Sequence, residues 1–255
     1  MEYSKLQQLS NTANLARSAA VLEDRIASFS ERIPTGIDQL DLLLRGGIPQ
    51  RTLNIVIGKP GSGKSIFGKQ FLCKNLAQDR NGILIDTFET LDSAKATIIC
   101  ELCRQRISEK MLFLDCYSWK NGCPTSSSLA CHTNLGLDIG SLFKKAENLP
   151  GNSPAMVFDS FSDYIVWSNS TNESIRFLDT LRAKLASIHA TSLIMLEEGV
   201  HDEKLLAALE FIADGTVRIK NSEYGQFLKV HRMPRTQLPS KWVPFTITQR
   251  PAVRS

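Results

Sequence analysis

The sequence predicts an α/β fold: a mostly parallel central sheet with helices on both faces and a C-terminal β-hairpin. Three observations carry that prediction. An apolar run, Leu53-Asn54-Ile55-Val56-Ile57, leads straight into a glycine-rich loop and then into a helical pattern. From residue 82 to residue 213, apolar strand-like runs alternate with helix-like segments, the order of a parallel sheet covered on both sides. Beyond that the pattern changes. Residues 216–220 and 226–231 flank a turn at 221–225, and 245–248 adds a short strand, which together read as an antiparallel hairpin closing one end of the sheet.

Taken in order, residues 4–30 carry an imperfect apolar face (Leu6, Leu9, Ala13, Leu22, Ile26) and read as a helical extension. One large domain is expected over 31–250, with a short tail at 251–255. Within it, Pro34-Thr35-Gly36-Ile37-Asp38 opens a turn and a short helix over 38–44, ended by Gly46-Gly47-Ile48-Pro49. Strands are expected at 82–88, 111–116, 155–159 and 191–196. Helices are expected at 66–78, 93–107, 135–148, 173–188 and 203–213. Residues 122–133 are rich in Ser, Thr and Pro and read as a loop.

The loop after the first strand is Gly58-Lys59-Pro60-Gly61-Ser62-Gly63-Lys64-Ser65, a complete G-x-x-x-x-G-K-S/T phosphate-binding pattern. Its glycines let backbone N–H groups turn inward around an anion, and the helix N-terminus, which runs on through Ile66, adds partial positive charge. Lys64 can reach the β- and γ-phosphates of a nucleotide, and the Ser65 hydroxyl can ligate Mg²⁺. Strand, glycine loop and helix in that order separate this pattern from a chance glycine turn.

Two carboxylates extend the site. Ala155-Met156-Val157-Phe158-Asp159 is an apolar strand ending in an acid, the Walker B arrangement, and Asp159 can hold Mg²⁺ through water. The strand over 82–88 runs into Glu89. In a parallel sheet the carboxyl ends of strands line the ligand crevice, so Glu89 can polarise the water that attacks a γ-phosphate. Alternatively it is an acid in the N-cap region of the next helix, with Thr90, Asp92 or Ser93 capping. Asp86, of alternate side-chain direction on the same strand, is the poorer candidate.

At 255 residues, 42% hydrophobic and 22% charged, the chain can bury a sizeable core and lacks the composition of a disordered protein. No run of 18 apolar residues exists, and the first residues are polar, so a cytoplasmic location without a membrane span is expected. The net charge of +4 is uneven: from Arg218 onward eight Lys/Arg face one acid, Glu223. Such an ending can touch nucleic acid, a neighbour's nucleotide, or only solvent. The six cysteines are expected to be reduced. Cys100 and Cys103 form a C-x-x-C pair and Cys131-His132 follows, so a zinc site is one reading; the pair lies inside an expected helix with no second C-x-x-C, and buried or free thiols are the other.

The motif order resembles KaiC-like ATPases of the RecA superfamily over roughly residues 31–250. Arg32-Ile33-Pro34-Thr35-Gly36-Ile37-Asp38-Gln39-Leu40-Asp41 is similar to that family's opening, R-I/V-P-T-G-I-x-x-L-D. Thr87-Phe88-Glu89-Thr90 resembles its F-E-E segment, Phe211-Ile212-Ala213-Asp214-Gly215 its F-x-A-D-G, and Arg232-Met233-Pro234-Arg235-Thr236 with Pro244-Phe245 its K-M/L-R-G-T…P-F ending. The resemblance implies a RecA-like P-loop NTPase core that assembles into homo-oligomeric rings, often hexamers, with ATP between subunits. It implies Glu89 as catalytic glutamate beside Lys64, and Arg232 and Arg235 as contacts to the neighbour's nucleotide. The chain departs from the pattern at Thr90, which replaces the second glutamate, and at Pro234, which stands at the arginine position. Leu238 stands near the place where clock-type members carry a histidine.

Three functions follow as alternatives. One is an ATPase whose nucleotide state controls assembly or a protein partner. Another is a recombinase paralogue that binds single-stranded DNA. The third is an ATP-binding assembly module with little turnover, akin to the accessory ATPase of the archaeal motility motor. A recombinase is expected to present basic loops after the Walker B strand and after the next strand. Residues 160–168 instead offer aromatics without Lys or Arg, and 197–203 is acidic, so any nucleic-acid association is expected to be weak and salt-sensitive.

Overall fold

The computed structural model describes residues 31–97, 109–122, 129–130, 135–149, 153–168, 170–238 and 241–246. The expected helical extension at 1–30, the tail at 251–255, and Cys100 and Cys103 lie outside these residues. Two short strands, β1 (Arg32–Ile33) and β2 (Ile48–Pro49), pair antiparallel on either side of α1 (Asp38–Leu43). The turn before α1 is locked by Asp41, whose carboxylate accepts from the Thr35 and Gly36 N–H groups and the Thr35 hydroxyl. That is the physical content of the P-T-G-I-x-x-L-D run.

The main sheet holds β3 (Leu53–Gly58), β4 (Gly82–Asp86), β5 (Met111–Asp115), β6 (Leu129–Ala130), β7 (Ala155–Asp159), β8 (Thr191–Glu197), β9 (Gly215–Ser222), β10 (Gly225–Arg232) and β11 (Val243–Phe245). Its order is β11-β10-β9-β3-β8-β7-β4-β5-β6. Every pairing from β9 to β6 is parallel, and β9–β10–β11 is antiparallel, so the hairpin does close one end.

The parallel strands are apolar on both faces because helices cover both. Ile55 and Ile57 of β3 and Phe158 of β7 point into one core. That core is shared with α5 (Leu135–Ala146), α6 (Phe161–Trp167), α7 (Thr171–Ser187) and α8 (Glu203–Ile212). Val56, Leu84 and Val157 point the other way, toward Phe67, Phe71 and Leu72 of α2 (Lys64–Ala77) and Leu40 of α1. Gly68 lets α2 lie close on the sheet: a Cβ there would stand 2.8 Å from Met195 Cε and 2.9 Å from Val157 Cγ1. Three helices start on side-chain caps, with Ser160, Ser170 and Asp202 accepting from Ser162, Glu173 and Leu205 N–H groups.

Some segments differ from expectation: residues 129–130 of the expected loop at 122–133 form β6, and the strand expected at 245–248 is β11 at Val243–Phe245. The strand at 82–88 ends at Asp86, because the Asp86 carboxylate draws the Phe88 and Glu89 N–H groups into a turn. The stretch after the Walker B strand, where a recombinase would present a basic loop, forms α6. Phe161 is fully buried, edge-on to Phe158 at 5.4 Å and stacked on Phe177 at 5.9 Å. Phe161 and Tyr164 thus pack into the core, while half-exposed Trp167 lies against Lys120. Phe161→Ala is accordingly expected to lower the unfolding free energy by about 3–5 kcal/mol, read from urea denaturation.

Between β3 and β4 the chain skips two positions in the sheet, later filled by β8 and β7. This is a topological switch point, and its crevice opens at the carboxyl ends of the strands. The registers bring Gly58 level with Glu197 and Asp86 level with Asp159 along that edge.

Candidate functional site

The glycine loop spans the exit of β3 and the start of α2. Gly61 (φ 76°) and Gly63 (φ 97°) adopt the left-handed conformation that a side chain disfavours. Gly63 is the N-cap of α2 and offers no side chain to its first N–H groups, which leaves that helix end available to an anion. Two residues of the β9–β10 hairpin brace the loop from outside: Asn221 Nδ2 donates to Gly61 O at 2.9 Å, and Gln226 Nε2 donates to Ser62 O at 3.2 Å. Lys59, Pro60 and Gly61 are exposed. Ile66 is 42% exposed, so it leaves the apolar face of α2 to Phe67, Phe71, Leu72 and Leu76.

Lys64 is buried, and its ammonium donates to Gly58 O at 2.9 Å, Lys59 O at 3.0 Å and Glu197 Oε2 at 2.9 Å. Glu197, the last residue of β8, was not among the candidates read from the sequence. The available signal was its place as the final acid of a central parallel strand. Its own N–H donates to Ser162 Oγ at 2.7 Å, and that hydroxyl also meets His201 Nε2 at 2.7 Å. A polar chain therefore runs from the loop lysine to the β8–α8 connection.

Asp159 ends β7, 6% exposed, with the Ser65 hydroxyl near enough to act on its carboxylate. Burial, with a smaller push from the Glu197 charge, raises its carboxyl, while the Ser65 hydroxyl and the charges of Lys69 and Lys64 pull it back. A hydroxyl and a carboxylate meeting beneath a phosphate loop form the hard-oxygen donor set that suits Mg²⁺. The Asp159–Ser160 peptide is cis.

Asp86 lies beside Asp159, and burial, then the Asp159 charge, push it up to about 7. A carboxyl raised in the folded state binds more protons than the unfolded chain between about pH 4 and pH 7, so the folded state loses stability as pH rises through that window. Asp86→Asn keeps an oxygen for the Phe88 and Glu89 N–H groups and removes the charge. Its stability relative to wild type is expected to improve from pH 5 to pH 8, measured by denaturation without magnesium.

Glu89 reaches back onto α2. Its Oε1 accepts from Lys69 Nζ at 2.6 Å, and its Oε2 accepts from Ser93 Oγ at 3.2 Å. Ser93 belongs to α3 (Leu91–Thr97), whose Ser93 N–H donates to Thr90 Oγ1 at 3.3 Å, so Thr90 takes the capping role. Glu89 thus stands at the expected carboxyl edge, and its ion pair was not foreseen.

The basic ending lies elsewhere. Arg232 is level with Thr216, which is level with Ile55, so β10 carries it about 10 Å down the sheet from Gly58. Its guanidinium donates to the carbonyls of Glu210 and Ala213, closing the C-terminus of α8. Arg235 (φ 53°) follows in a turn and lines a cavity of about 260 Å³ with Arg51, Arg182 and Asp214. The structure therefore brings Lys64, Ser65, Asp159 and Glu89 to one edge and leaves Arg232 and Arg235 at the opposite end of the same subunit. The Asp214 of the A-D-G run holds Leu53 N–H at 2.8 Å and Arg182 at 2.7 Å, anchoring the start of β3.

Other basic residues of the ending are engaged internally. Arg218 pairs with Glu210 and Glu198, and Lys220 lies 4.3 Å from the Trp242 ring centroid. Beside α6, Lys120 of α4 (Cys116–Asn121) pairs with Asp163 and lies 4.6 Å from the Trp167 ring centroid. Contrary to the expectation of reduced thiols, Cys73 on α2 is disulfide-bonded, whereas Cys116 is a buried free thiol. Among the described residues no cluster of three or more His, Cys, Asp or Glu could hold a metal, and no helix is long and apolar enough to cross a membrane.

Comparison with known proteins bears on this geometry. A family model described as "ATPase: KaiC" matches residues 33–254. A UPF0273 protein of Saccharolobus solfataricus is 49% identical over 55 residues, 22% of this chain and 20% of that protein. The match thus spans about a fifth of that relative's length. A UPF0273 protein of Sulfurisphaera tokodaii is 27% identical over 205 residues, 76% of this chain and 70% of that protein. In fold, the chain is similar to a KaiC-like protein of Pyrococcus horikoshii, with a TM-score of 0.68 and 19% identity over 86% of this chain and 96% of that one. A phosphate loop at the switch point of a RecA-type sheet, within a family match that runs nearly the length of the described domain, shows that this chain belongs to the KaiC ATPase family of the RecA superfamily.

Proposed function

We propose that this protein binds ATP with Mg²⁺ at residues 58–66, hydrolyses it, and uses its nucleotide state to control homo-oligomeric assembly, in a ring, or a protein partner. The observation that carries the reading is the glycine loop at the carboxyl edge of the sheet, with Lys64 buried in its base and the buried Asp159 carboxylate ending β7 on the same edge. Ser65 and Asp159 would hold the metal, whose charge would offset that of the β- and γ-phosphates. Lys64 would exchange its Glu197 contact for phosphate oxygens. Glu89 would accept the proton of the attacking water.

A second reading, ATP binding with little turnover, is favoured by the engagement of both Glu89 oxygens. The recombinase reading is disfavoured by the burial of Phe161 and by the internal pairing of Arg218 and Lys120. For contact with a neighbour's nucleotide, Arg235 is the better candidate, since Arg232 closes α8 of its own subunit. Calorimetric titration with Mg-ATP and Mg-ADP, joined to turnover assays with and without single-stranded DNA, tests the reading. ATP binding with DNA-independent turnover supports it. Absence of ATP binding, or turnover that depends on DNA, overturns it.

A further inference from the structure

Lys69 is one helical turn beyond Ser65 on the same face of α2, with its side chain 12% exposed. Its ammonium is 2.6 Å from Glu89 Oε1 and also acts on Asp159. Ser93 Oγ takes the other Glu89 oxygen from the α3 side. Behind the carboxylate, the turn that bears it is fixed by Asp86, which accepts the Glu89 N–H at 2.9 Å. Both Glu89 oxygens are thereby engaged, one by Lys69 of α2 and one by Ser93 of α3. A general base has to lie within hydrogen-bond reach of the water whose proton it accepts as that water bonds to the γ-phosphorus and ADP leaves.

We propose that Lys69 is a restraining residue for hydrolysis: its ion pair holds Glu89 on α2, so ATP binds without rapid turnover until the pair opens. This rests on the assignment of Glu89 as the base, within the proposed ATP site. It makes slow hydrolysis a property of one residue on α2 rather than of a missing catalytic group. Lys69 is a positioning residue that acts through Glu89.

The test uses the full chain with Mg-ATP and the variants Lys69→Met, Lys69→Arg, Glu89→Gln and the Lys69→Met/Glu89→Gln double variant. Lys69→Met is expected to raise kcat about three- to tenfold while KM for ATP changes less than about twofold, as for the loss of a partly buried ion pair that opposes the reactive geometry. Lys69→Arg keeps the charge and the slow rate, and adding Glu89→Gln removes the gain. Without nucleotide or magnesium, Lys69→Met and Glu89→Gln are expected to shift Tm non-additively, which reads the pair itself. Unchanged or lower kcat in Lys69→Met with ATP binding intact overturns the restraint. So do additive Tm shifts, or a gain that survives Glu89→Gln. Failure of the wild type to bind ATP would instead remove the nucleotide-site reading beneath it. Should Lys69→Met not fold, Lys69→Gln serves with the same expected gain in kcat.

Discussion

Replacing Lys64 with alanine is expected to weaken ATP binding by about a hundredfold or more while the protein stays folded. The loop is built from backbone dipoles, and Lys64 is the positive side chain in its base, held at 2.9–3.0 Å by Gly58 O, Lys59 O and Glu197. Charge-assisted bonds to phosphate oxygens contribute about 1.5–3 kcal/mol each, so losing one or two accounts for that change. The same substitution leaves Glu197 without its lysine, and a thermal melt run beside the titration separates lost binding from lost structure. Unchanged affinity in a folded variant would mean that the glycine loop does not hold phosphate.

Glu89→Gln is expected to leave ATP affinity within about twofold and to lower turnover by about a hundredfold, because an amide is a poor proton acceptor. Single-turnover measurements with saturating enzyme make the comparison even where steady-state rates are low. Thr90→Ala should act through α3, since Thr90 Oγ1 caps Ser93 N–H, and should cost about 1 kcal/mol of stability with little effect on chemistry. Equal loss of turnover in both variants would indicate that the turn, rather than the Glu89 carboxylate, matters.

Residues near one another in sequence made most of this legible. The phosphate loop is one contiguous run, and its flanking strand and helix form where the apolar spacing puts them. Asp159 is legible for the same reason, as the end of a five-residue apolar strand. What sequence reading missed is tertiary. Glu197 reaches Lys64 across 133 positions because β8 is inserted beside β3, and no local pattern announces that insertion. Lys69 and Glu89 meet across 20 positions only because β4 runs parallel behind α2 and the Asp86 turn folds its exit back. Helix α6 was hidden because its apolar residues, Phe161 and Ile165, make a short stripe that gains its meaning from Phe158 and Phe177. For Arg232, position in a motif suggested reach toward a neighbour, whereas the end of α8 lay nearer and supplied two unpaired carbonyls.

Sedimentation velocity of the full chain tests the central claim, that nucleotide state controls assembly. The protein would be run without nucleotide, with Mg-ADP, and with Mg-ATP, beside Lys64→Ala with Mg-ATP. A faster-sedimenting species with ATP, diminished with ADP and absent from Lys64→Ala, is the predicted result. The same sedimentation coefficient in all four samples, under conditions where calorimetry shows the wild-type site saturated, would contradict the account.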